Sequence, residues 1–299
     1  MPLVTTAELV SDAAARGHGI AAFNVITLEH AEAIAEGAER AGVPAILQIS
    51  ENAVRFHGGR LTAVAAATAA VARAAAVPLA LHLDHVESAE LLRAAPAEGF
   101  SSVMFDASKL PYAENLKATA EAVRWGHDHG VWIEAELGAV GGKEGDGSQG
   151  DGGPEGGAGP ALDAHAPGVR TDPAEAVLFV AETGVDALAV AVGSSHAMTR
   201  RTAALDHALI AALRGSVPVP LVLHGSSGVP DEEIRRAVAA GMVKINVGTA
   251  LNTAYTEAVR THLAGHPATV DPRKYLVPAR EAMAGTVAGF LRVVSAAEA

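Results

Sequence analysis

Eight short strand-like runs alternate with longer helical stretches along this chain of 299 residues. Alternation of this kind over about 250 residues is typical of a closed parallel barrel, in which each helix returns the chain to the next strand. The expected strands are Ile20–Val25, Pro44–Ile49, Leu79–Asp84, Ser101–Asp106, Val131–Leu137, Asp186–Val192, Pro220–His224 and Val243–Val247. We therefore predict one α/β domain over residues 1–299, a (β/α)8 TIM barrel, with a doubly wound parallel sheet as the alternative.

Amphipathic stretches of helix length lie between most of these strands. Examples are Thr27–Ala41, Ala113–His129 and Asp231–Ala240, in which apolar residues recur with the period of a helix. After Thr249 the sequence predicts extra C-terminal helices, with Asp271–Pro278 as a connector.

The charge and the cysteine content restrict the partners. A formal net charge of −12 argues against nucleic acid or an acidic membrane as a partner. Because the chain has no cysteine, any transition metal has to be held by His, Asp or Glu.

One apolar run, Ala63–Leu83, approaches the length of a membrane span. Arg73 interrupts it and Pro78 breaks it, so it is interpreted as a helix, a turn and a strand. The N-terminus lacks a basic segment followed by an apolar one, which argues against a signal peptide. We therefore expect a cytoplasmic protein.

A glycine-rich insertion covers about residues 141–165. Between Gly145 and Gly159 there are eight glycines in fifteen residues, a composition that cannot form a packed core. Because the insertion follows the fifth strand, it lies at one end of the predicted barrel. It is either a tolerated surface insertion or part of an active-site lid.

Polar side chains occupy the end of every predicted strand, which is where barrel enzymes place their active sites. Three of these residues are histidines, the commonest zinc ligands, and three protein ligands with one open position form a typical catalytic zinc site. Taken together, these ends predict a metal site above the barrel. The strand-end residues are Asn24, Ser50, Asp84, His85, Asp106, Glu136, His196, His224 and Asn246.

Small residues follow the seventh and eighth strands. Gly225 to Gly228 leads into a helix start marked by Pro230, and Gly248 with Thr249 follows Asn246. Free backbone N–H groups at these positions suit a phosphate.

The chain resembles the class II ketose-bisphosphate aldolases, which include the fructose- and tagatose-bisphosphate enzymes. The motifs that carry the resemblance span nearly the whole chain. They are FNV (23–25), LHLDH (81–85), SVMFDASKLPYAEN (102–115), EAELGAVGGKEGD (134–146), TDPAEA (171–176), TGVDALAVAVGSSH (183–196), LHGSSG (223–228), KINVGT (244–249) and DPRKYLVPAREAM (271–283).

The resemblance implies a reaction and a cofactor. A ketose 1,6-bisphosphate would be cleaved to dihydroxyacetone phosphate and glyceraldehyde 3-phosphate through a zinc-stabilised enediolate. His85, His196 and His224 would bind Zn²⁺, or Co²⁺ or Mn²⁺ in its place. Glu136 would offer an alternate metal position, and Asp106 is a further candidate ligand.

The resemblance also assigns catalytic and phosphate-binding roles. Asp84 would exchange a proton with the C4 hydroxyl, Glu144 would move the proton at the carbanion carbon, and Asn246 would contact the enediolate. The residues matched to substrate or phosphate contacts are Asn24, Ser50, Gly225, Ser227, Gly248, Thr249 and Arg280. A monovalent cation (Na⁺ or K⁺) and a homodimer or homotetramer are also expected.

The chain departs from the family after His196. Relatives usually have Gly at the next position, then an aromatic residue and Lys, whereas this chain has Ala197, Met198, Thr199 and Arg200. A Cβ at residue 197 restricts positive φ and close backbone approach. The replacement favours a shift of the phosphate contact to Arg200 or Arg201. Lys109 also stands where relatives often have His.

Three alternatives stay open. In the first, the chain acts on a different phosphorylated keto sugar by the same chemistry. A Schiff-base aldolase would use Lys244, which shares a strand face with Asn246. In the third, the protein is a catalytically silent barrel that binds a phosphorylated ligand without catalysing a reaction.

Overall fold

In a computed structural model, which describes residues 3–138, 140 and 170–295, eight parallel strands close into a barrel. Each strand pairs with the next along the chain, and the first pairs with the last, so the doubly wound alternative is wrong. The strands are β1 (Ile20–Asn24), β2 (Ala45–Ser50), β3 (Leu79–Val86), β4 (Ser102–Phe105), β5 (Trp132–Leu137), β6 (Ala187–Val190), β7 (Leu221–Leu223) and β8 (Met242–Val247). The predicted (β/α)8 barrel is confirmed.

Helices cover the outside of the barrel. They are α1 (Thr6–Arg16), α2 (Leu28–Ala41), α3 (Glu51–Phe56), α4 (Leu61–Ala74), α5 (Ala89–Ala94), α6 (Tyr112–Asp128), α7 (Pro173–Thr183), α8 (His207–Ser216), α9 (Asp231–Ala240), α10 (Thr249–Gly265) and α11 (Arg273–Val294). The main hydrophobic core lies between these helices and the strands.

Local sequence explains where the helices begin and end. In α7, Asp172 accepts hydrogen bonds from the backbone N–H groups of Ala174 and Glu175, and Pro173 occupies the first helical position. Gly184 ends the helix with φ 70°, a conformation that glycine adopts without strain.

Helix α1 closes the N-terminal end of the barrel. Its Leu9 and Val10 pack against Ile20, Ile46 and Val243, which lie at or near the first residues of their strands. Burial of each large aliphatic side chain contributes about 1.5–3 kcal/mol. The opposite end of the barrel, formed by the carboxyl ends of the strands, is where barrel enzymes place their active sites.

The C-terminal helices were predicted, but their connector was placed wrongly. The connector runs from residue 266 to 272, and α11 already begins at Arg273 with Pro278 inside it. In the second turn of the helix proline cannot donate its backbone hydrogen bond, and the packing of α11 on α2 and α10 offsets that loss. Gly37 permits the close approach of α2 and α11, since a Cβ there would lie 2.6 Å from the carbonyl oxygen of Ala284.

The apolar run Ala63–Leu83 forms the end of α4, a turn and the start of β3, as predicted. Within the described part of the chain, no helix has the length and apolar character needed to cross a membrane.

Candidate active site

Three histidines meet above the carboxyl ends of the strands. His85 belongs to β3, His196 follows β6 and His224 follows β7, and their candidate ligand atoms all lie within 4.8 Å of one another. The ring centroids are 4.9–5.7 Å apart. Three imidazoles at this spacing form a set of donors that, in their neutral form, can hold a divalent transition metal.

His85 has an unusual backbone conformation that directs its side chain into the cluster. Its φ is 48°, in the left-handed region that non-glycine residues seldom adopt. The register between β3 and β4 shifts between Leu83 and Val86, so His85 lies in a bulge-like irregularity. Strained backbone of this kind is concentrated at functional sites.

Carboxylates hold two of the three imidazoles in place. His85 Nδ1 lies 2.8 Å from Asp106 Oδ2, and His224 Nε2 lies 3.0 Å from Glu134 Oε1. These contacts leave His85 Nε2 and His224 Nδ1 to face a metal. A metal-binding histidine usually donates the N–H of its other ring nitrogen to a carboxylate, a carbonyl or water. The residues present therefore fit a metal ion.

The structure places Asp106 next to His85, where its carboxylate orients that ring, and its suggested role as a further metal ligand stays a prediction. One carboxylate oxygen of Asp106 contacts His85, and the other accepts hydrogen bonds from the backbone N–H and hydroxyl of Ser108. With both oxygens engaged in this way, Asp106 fixes the ring of His85.

Glu136 lies beside the histidine cluster, and its role at an alternate metal position stays a prediction. Its Oε2 is 3.0 Å from His224 Nδ1, the nitrogen left for a metal. Burial lowers the pKa of His224, but its contacts with Glu134 and Glu136 outweigh that effect and raise the pKa to about 9. Metal binding at Nδ1 therefore has to displace a proton.

A buried ionic network lies directly beneath the histidines. Lys244 Nζ is 2.8 Å from Glu134 Oε2 and donates to Asn246 Oδ1 at 2.8 Å. Although burial alone raises the pKa of Glu134, Lys244 and His224 hold it well below its usual range. Burial and the nearby Lys244 lower the pKa of His82 to about 3, which keeps this ring neutral. The network thus supports Asn246 and His224 from below.

Asp84 lies beside the metal cluster with only 2% of its surface exposed, and it lines the cavity. Asn246 Nδ2 donates to Asp84 Oδ1 at 3.5 Å. Burial raises the pKa of Asp84, but His85, Lys244 and His224 reverse that effect and lower it. An ionised carboxylate in this position can accept a proton from a substrate hydroxyl.

The geometry disfavours Lys244 as a Schiff-base nucleophile. Its side chain is completely buried and its ammonium group is bound to Glu134 and Asn246. A lysine nucleophile needs an accessible neutral amine. We expect that borohydride, added with dihydroxyacetone phosphate, will trap no covalent adduct detectable by intact mass. An adduct on Lys244 would contradict this reading.

The cavity at this end of the barrel has a volume of about 410 Å³, which suits a small ligand. The predicted residues that line it are Asn24, Ser50, Asp84, His85, Asp106, His196, Gly225, Ser227, Asn246, Gly248 and Thr249. His224 is fully buried behind them.

A cradle of small residues lies on the β7 and β8 side of the cavity. Gly225 has φ 68°, and a Cβ there would lie 2.6 Å from the backbone of Ser195, so only glycine fits. Gly248 and Thr249 form the start of α10, and Ser227 Oγ accepts from the backbone N–H of Ala250 at 3.0 Å. The N-terminal end of a long helix attracts anions such as phosphate.

Ser50 and Asn24 line the cavity while each forms a structural contact. Ser50 Oγ accepts from the backbone N–H of Ala53 and caps α3, and Asn24 Oδ1 accepts from Gln48 Nε2 at 2.5 Å. The Ser50 hydroxyl is therefore already engaged as an acceptor, although it retains its own proton to donate.

Arg280 does not join the other predicted site residues within this chain. It lies on α11, outside the barrel, and forms an ion pair with Glu32 of α2. The motif match carried no information about where α11 would lie, because that depends on packing between distant segments.

The expected shift of a phosphate contact to Arg201 is not supported. Arg201 donates to the carbonyl oxygen of Val229 and to Asp231, and it lies over the ring of Phe290. Neither Arg201 nor Arg200 lines the cavity. Ala197 does line it and keeps a φ of 58°, so the chain retains a glycine-like backbone conformation despite the Cβ.

We therefore expect Ala197→Gly to raise the free energy of unfolding by about 1 kcal/mol, because a left-handed alanine is strained and glycine is not. Urea denaturation measures the effect. Ala66→Gly, at an exposed position inside α4, is the control and should lower stability by about 0.5–1 kcal/mol. Equal losses in the two variants would show that residue 197 carries no strain.

Sequence reasoning missed several residues of the site. Glu134 lies two residues before Glu136, so the strand period places both on the inner face, and this signal was available. Arg55 and Gln48 also line the cavity. Glu144 and the glycine-rich insertion, with its lid interpretation, lie outside the described residues.

A parallel barrel with three histidines and a buried acid around one cavity is the arrangement of a metal-dependent enzyme. The family model for class II fructose-bisphosphate aldolase matches residues 4–299. The chain is 41% identical over 294 residues to the "probable fructose-bisphosphate aldolase" of Bacillus subtilis (strain 168), covering 98% of this chain and 97% of that protein. It is 40% identical over 293 residues to the fructose-bisphosphate aldolase of Geobacillus stearothermophilus, covering 98% and 96%.

A solved structure agrees with these relatives. The YdjI aldolase of Escherichia coli K12 superposes with a TM-score of 0.80 at 30% identity, covering 98% of this chain and 97% of that one. The protein therefore belongs to the class II fructose-bisphosphate aldolase family, a family of metal-dependent carbon–carbon lyases.

Proposed function

We propose that this protein cleaves a ketose 1,6-bisphosphate of the fructose or tagatose type to dihydroxyacetone phosphate and glyceraldehyde 3-phosphate. The observation that carries the proposal is the convergence of His85, His196 and Asp84 with the cradle at Gly225 and Gly248 around one cavity. Membership of the aldolase family supports the same reaction.

The three histidines would hold Zn²⁺, with Co²⁺ or Mn²⁺ as substitutes. A bound divalent ion supplies a Lewis acid that polarises the substrate ketone. Asp106 and Glu134 keep the rings of His85 and His224 in the orientation that binding requires.

The remaining steps belong to side chains of the chain itself. Asp84, ionised and buried, takes the proton of the C4 hydroxyl as the C3–C4 bond breaks. Asn246 is held by Lys244 and contacts the enediolate oxygen. Glu144 is proposed to return a proton to the carbanion carbon. The backbone N–H groups around Gly248 and Thr249 receive one substrate phosphate.

An assay with a panel of C4-epimeric ketose 1,6-bisphosphates tests the proposal. We expect the Zn²⁺-loaded protein to cleave at least one epimer, with product measured by a coupled assay for dihydroxyacetone phosphate. Lack of cleavage of every epimer by the metal-loaded protein would overturn the proposal and favour the catalytically silent barrel. Cleavage of only a different phosphorylated keto sugar would keep the chemistry and change the substrate.

Three further expectations accompany this proposal. The protein would function in the cytoplasm, as a homodimer or homotetramer. A monovalent cation, Na⁺ or K⁺, would bind near Ala197 and the substrate phosphate.

A further inference from the structure

Arg201 does not line the cavity, but it lies in the segment between β6 and α8 that also carries the predicted metal ligand His196. Its Nε and Nη2 donate to the carbonyl oxygen of Val229 at 2.8 and 2.6 Å, and Nη2 also pairs with Asp231 at the start of α9. Its guanidinium group lies over the ring of Phe290 in α11, 5.0 Å from the ring centroid. Arg201 therefore joins the segment after β6 to the connection after β7 and to α11.

The segment after β6 and the connection after β7 are in close contact. The backbone N–H of Ala203 donates to the carbonyl oxygen of Gly228 at 2.9 Å. A Cβ at residue 228 would lie 2.5 Å from the Cβ of Met198, so glycine is needed for this approach. Arg201 bonds the carbonyl oxygen of the next residue, Val229, and thereby fastens the end of the contact.

The residues that Arg201 holds are continuous with the phosphate cradle. Val229 follows directly on a short 3-10 turn at Ser226–Gly228, and its backbone N–H donates to the carbonyl oxygen of the first residue of that turn at 3.0 Å. Ser227, in the middle of the turn, lines the cavity and accepts from the backbone N–H of Ala250 in the first turn of α10. A displacement of Val229 would therefore move Ser227 and its contact with the N-terminal end of α10.

An arginine suits this position better than a lysine. The planar guanidinium bonds the Val229 carbonyl with two N–H groups while its face lies over an aromatic ring, and an ammonium group has no such face. The ion pair with Asp231 contributes little by itself, because the side chains of Arg201 and Asp231 are 38% and 46% exposed. Val229 is fully buried, and a buried carbonyl that loses its donor is destabilised where it stands.

We propose that Arg201 is a positioning residue for the phosphate of dihydroxyacetone phosphate. It holds the segment 226–229, and with it Ser227 and the start of α10, at the spacing that this phosphate requires, without contacting the ligand. This inference rests on the proposed aldolase function. The phosphate in the cradle belongs to dihydroxyacetone phosphate because α10 begins three residues after Asn246, the residue proposed to contact the enediolate formed from that molecule.

The test compares the wild type with Arg201→Met and Arg201→Lys, all loaded with Zn²⁺, in the condensation of dihydroxyacetone phosphate with glyceraldehyde 3-phosphate. For Arg201→Met we expect KM for dihydroxyacetone phosphate to rise roughly 5- to 30-fold and kcat to change less than about threefold, because a contact made equally in the ground state and the transition state affects binding alone. KM for glyceraldehyde 3-phosphate should change less than about twofold, since its phosphate does not enter the cradle. Isothermal titration calorimetry should show the same rise in Kd for dihydroxyacetone phosphate.

Two further variants make the result specific. Arg235→Met removes an exposed cation of α9 that pairs with Glu232, and it should leave both KM values and the Kd unchanged. Arg201→Lys keeps the charge but loses the planar fork, so KM for dihydroxyacetone phosphate should rise by a smaller factor, roughly two- to tenfold. This variant carries the same test if Arg201→Met does not fold.

The outcomes separate the two proposals. If the wild type is active and the folded Arg201 variants keep KM and Kd for dihydroxyacetone phosphate, the positioning role is overturned. An equal rise of both KM values would also overturn it, since a residue that only stabilises the fold affects both substrates alike. If the wild type catalyses neither hydrogen exchange nor condensation, the aldolase function itself fails and this inference fails with it.

Discussion

Removal of the metal is expected to abolish cleavage, and His196→Ala is expected to lower kcat/KM at least about 1000-fold. The reason is that a Lewis acid stabilises the developing charge by several kcal/mol, which corresponds to several powers of ten in rate. EDTA treatment followed by elemental analysis and a coupled assay measures the first effect. Re-addition of Zn²⁺ should restore activity to the wild type and not to His196→Ala.

A matched control separates metal loss from general damage. His129 is exposed at the end of α6, where its ring stacks on Trp125 and its Nδ1 contacts the backbone carbonyl of that residue. It does not line the cavity, so His129→Ala should keep its metal and its activity. Full activity in a verified metal-free preparation would show that the three histidines serve another purpose.

Asp84→Asn is expected to lose cleavage by roughly 100- to 10,000-fold while it keeps appreciable hydrogen exchange into dihydroxyacetone phosphate. The asparagine preserves the volume of a buried side chain but cannot take the C4 hydroxyl proton. Exchange does not involve the C4 hydroxyl, because dihydroxyacetone phosphate lacks it. Coupled cleavage assays and mass spectrometry of exchange in deuterated water give the two rates.

Glu144→Gln is the complementary variant, and it should lose exchange as well as cleavage. The comparison is informative because the two carboxylates are proposed to act on different protons of one reaction. Loss of exchange in Asp84→Asn together with its retention in Glu144→Gln would mean that the two roles are reversed.

The barrel was predictable because its signals are local. The observed strands end within about two residues of the predicted ones, since short apolar runs and helical periods are properties of neighbouring residues. The connector predicted at 271–278 was misplaced, because contacts of α11 with α2 and α10 outweigh the low helix propensity of Pro278.

The candidate site was predictable in part for a similar reason. Parallel strands of a barrel all end on one face, so polar residues at strand ends must come near each other. Their spacing was not predictable, and neither was the contact of Asp106 with His85 or of Glu134 with His224, because these depend on register between distant strands.

The sequence by itself determined the fold class, the family, the absence of thiolate ligands and the residue types available at each strand end. Tertiary structure decided the directions of side chains. It placed His85 in a left-handed bulge, buried Lys244 against Glu134, turned Arg280 to the outside and brought Arg55 and Lys109 to one cavity. Periodicity fixes which residues share an element, whereas the contacts between elements arise only when distant segments pack together.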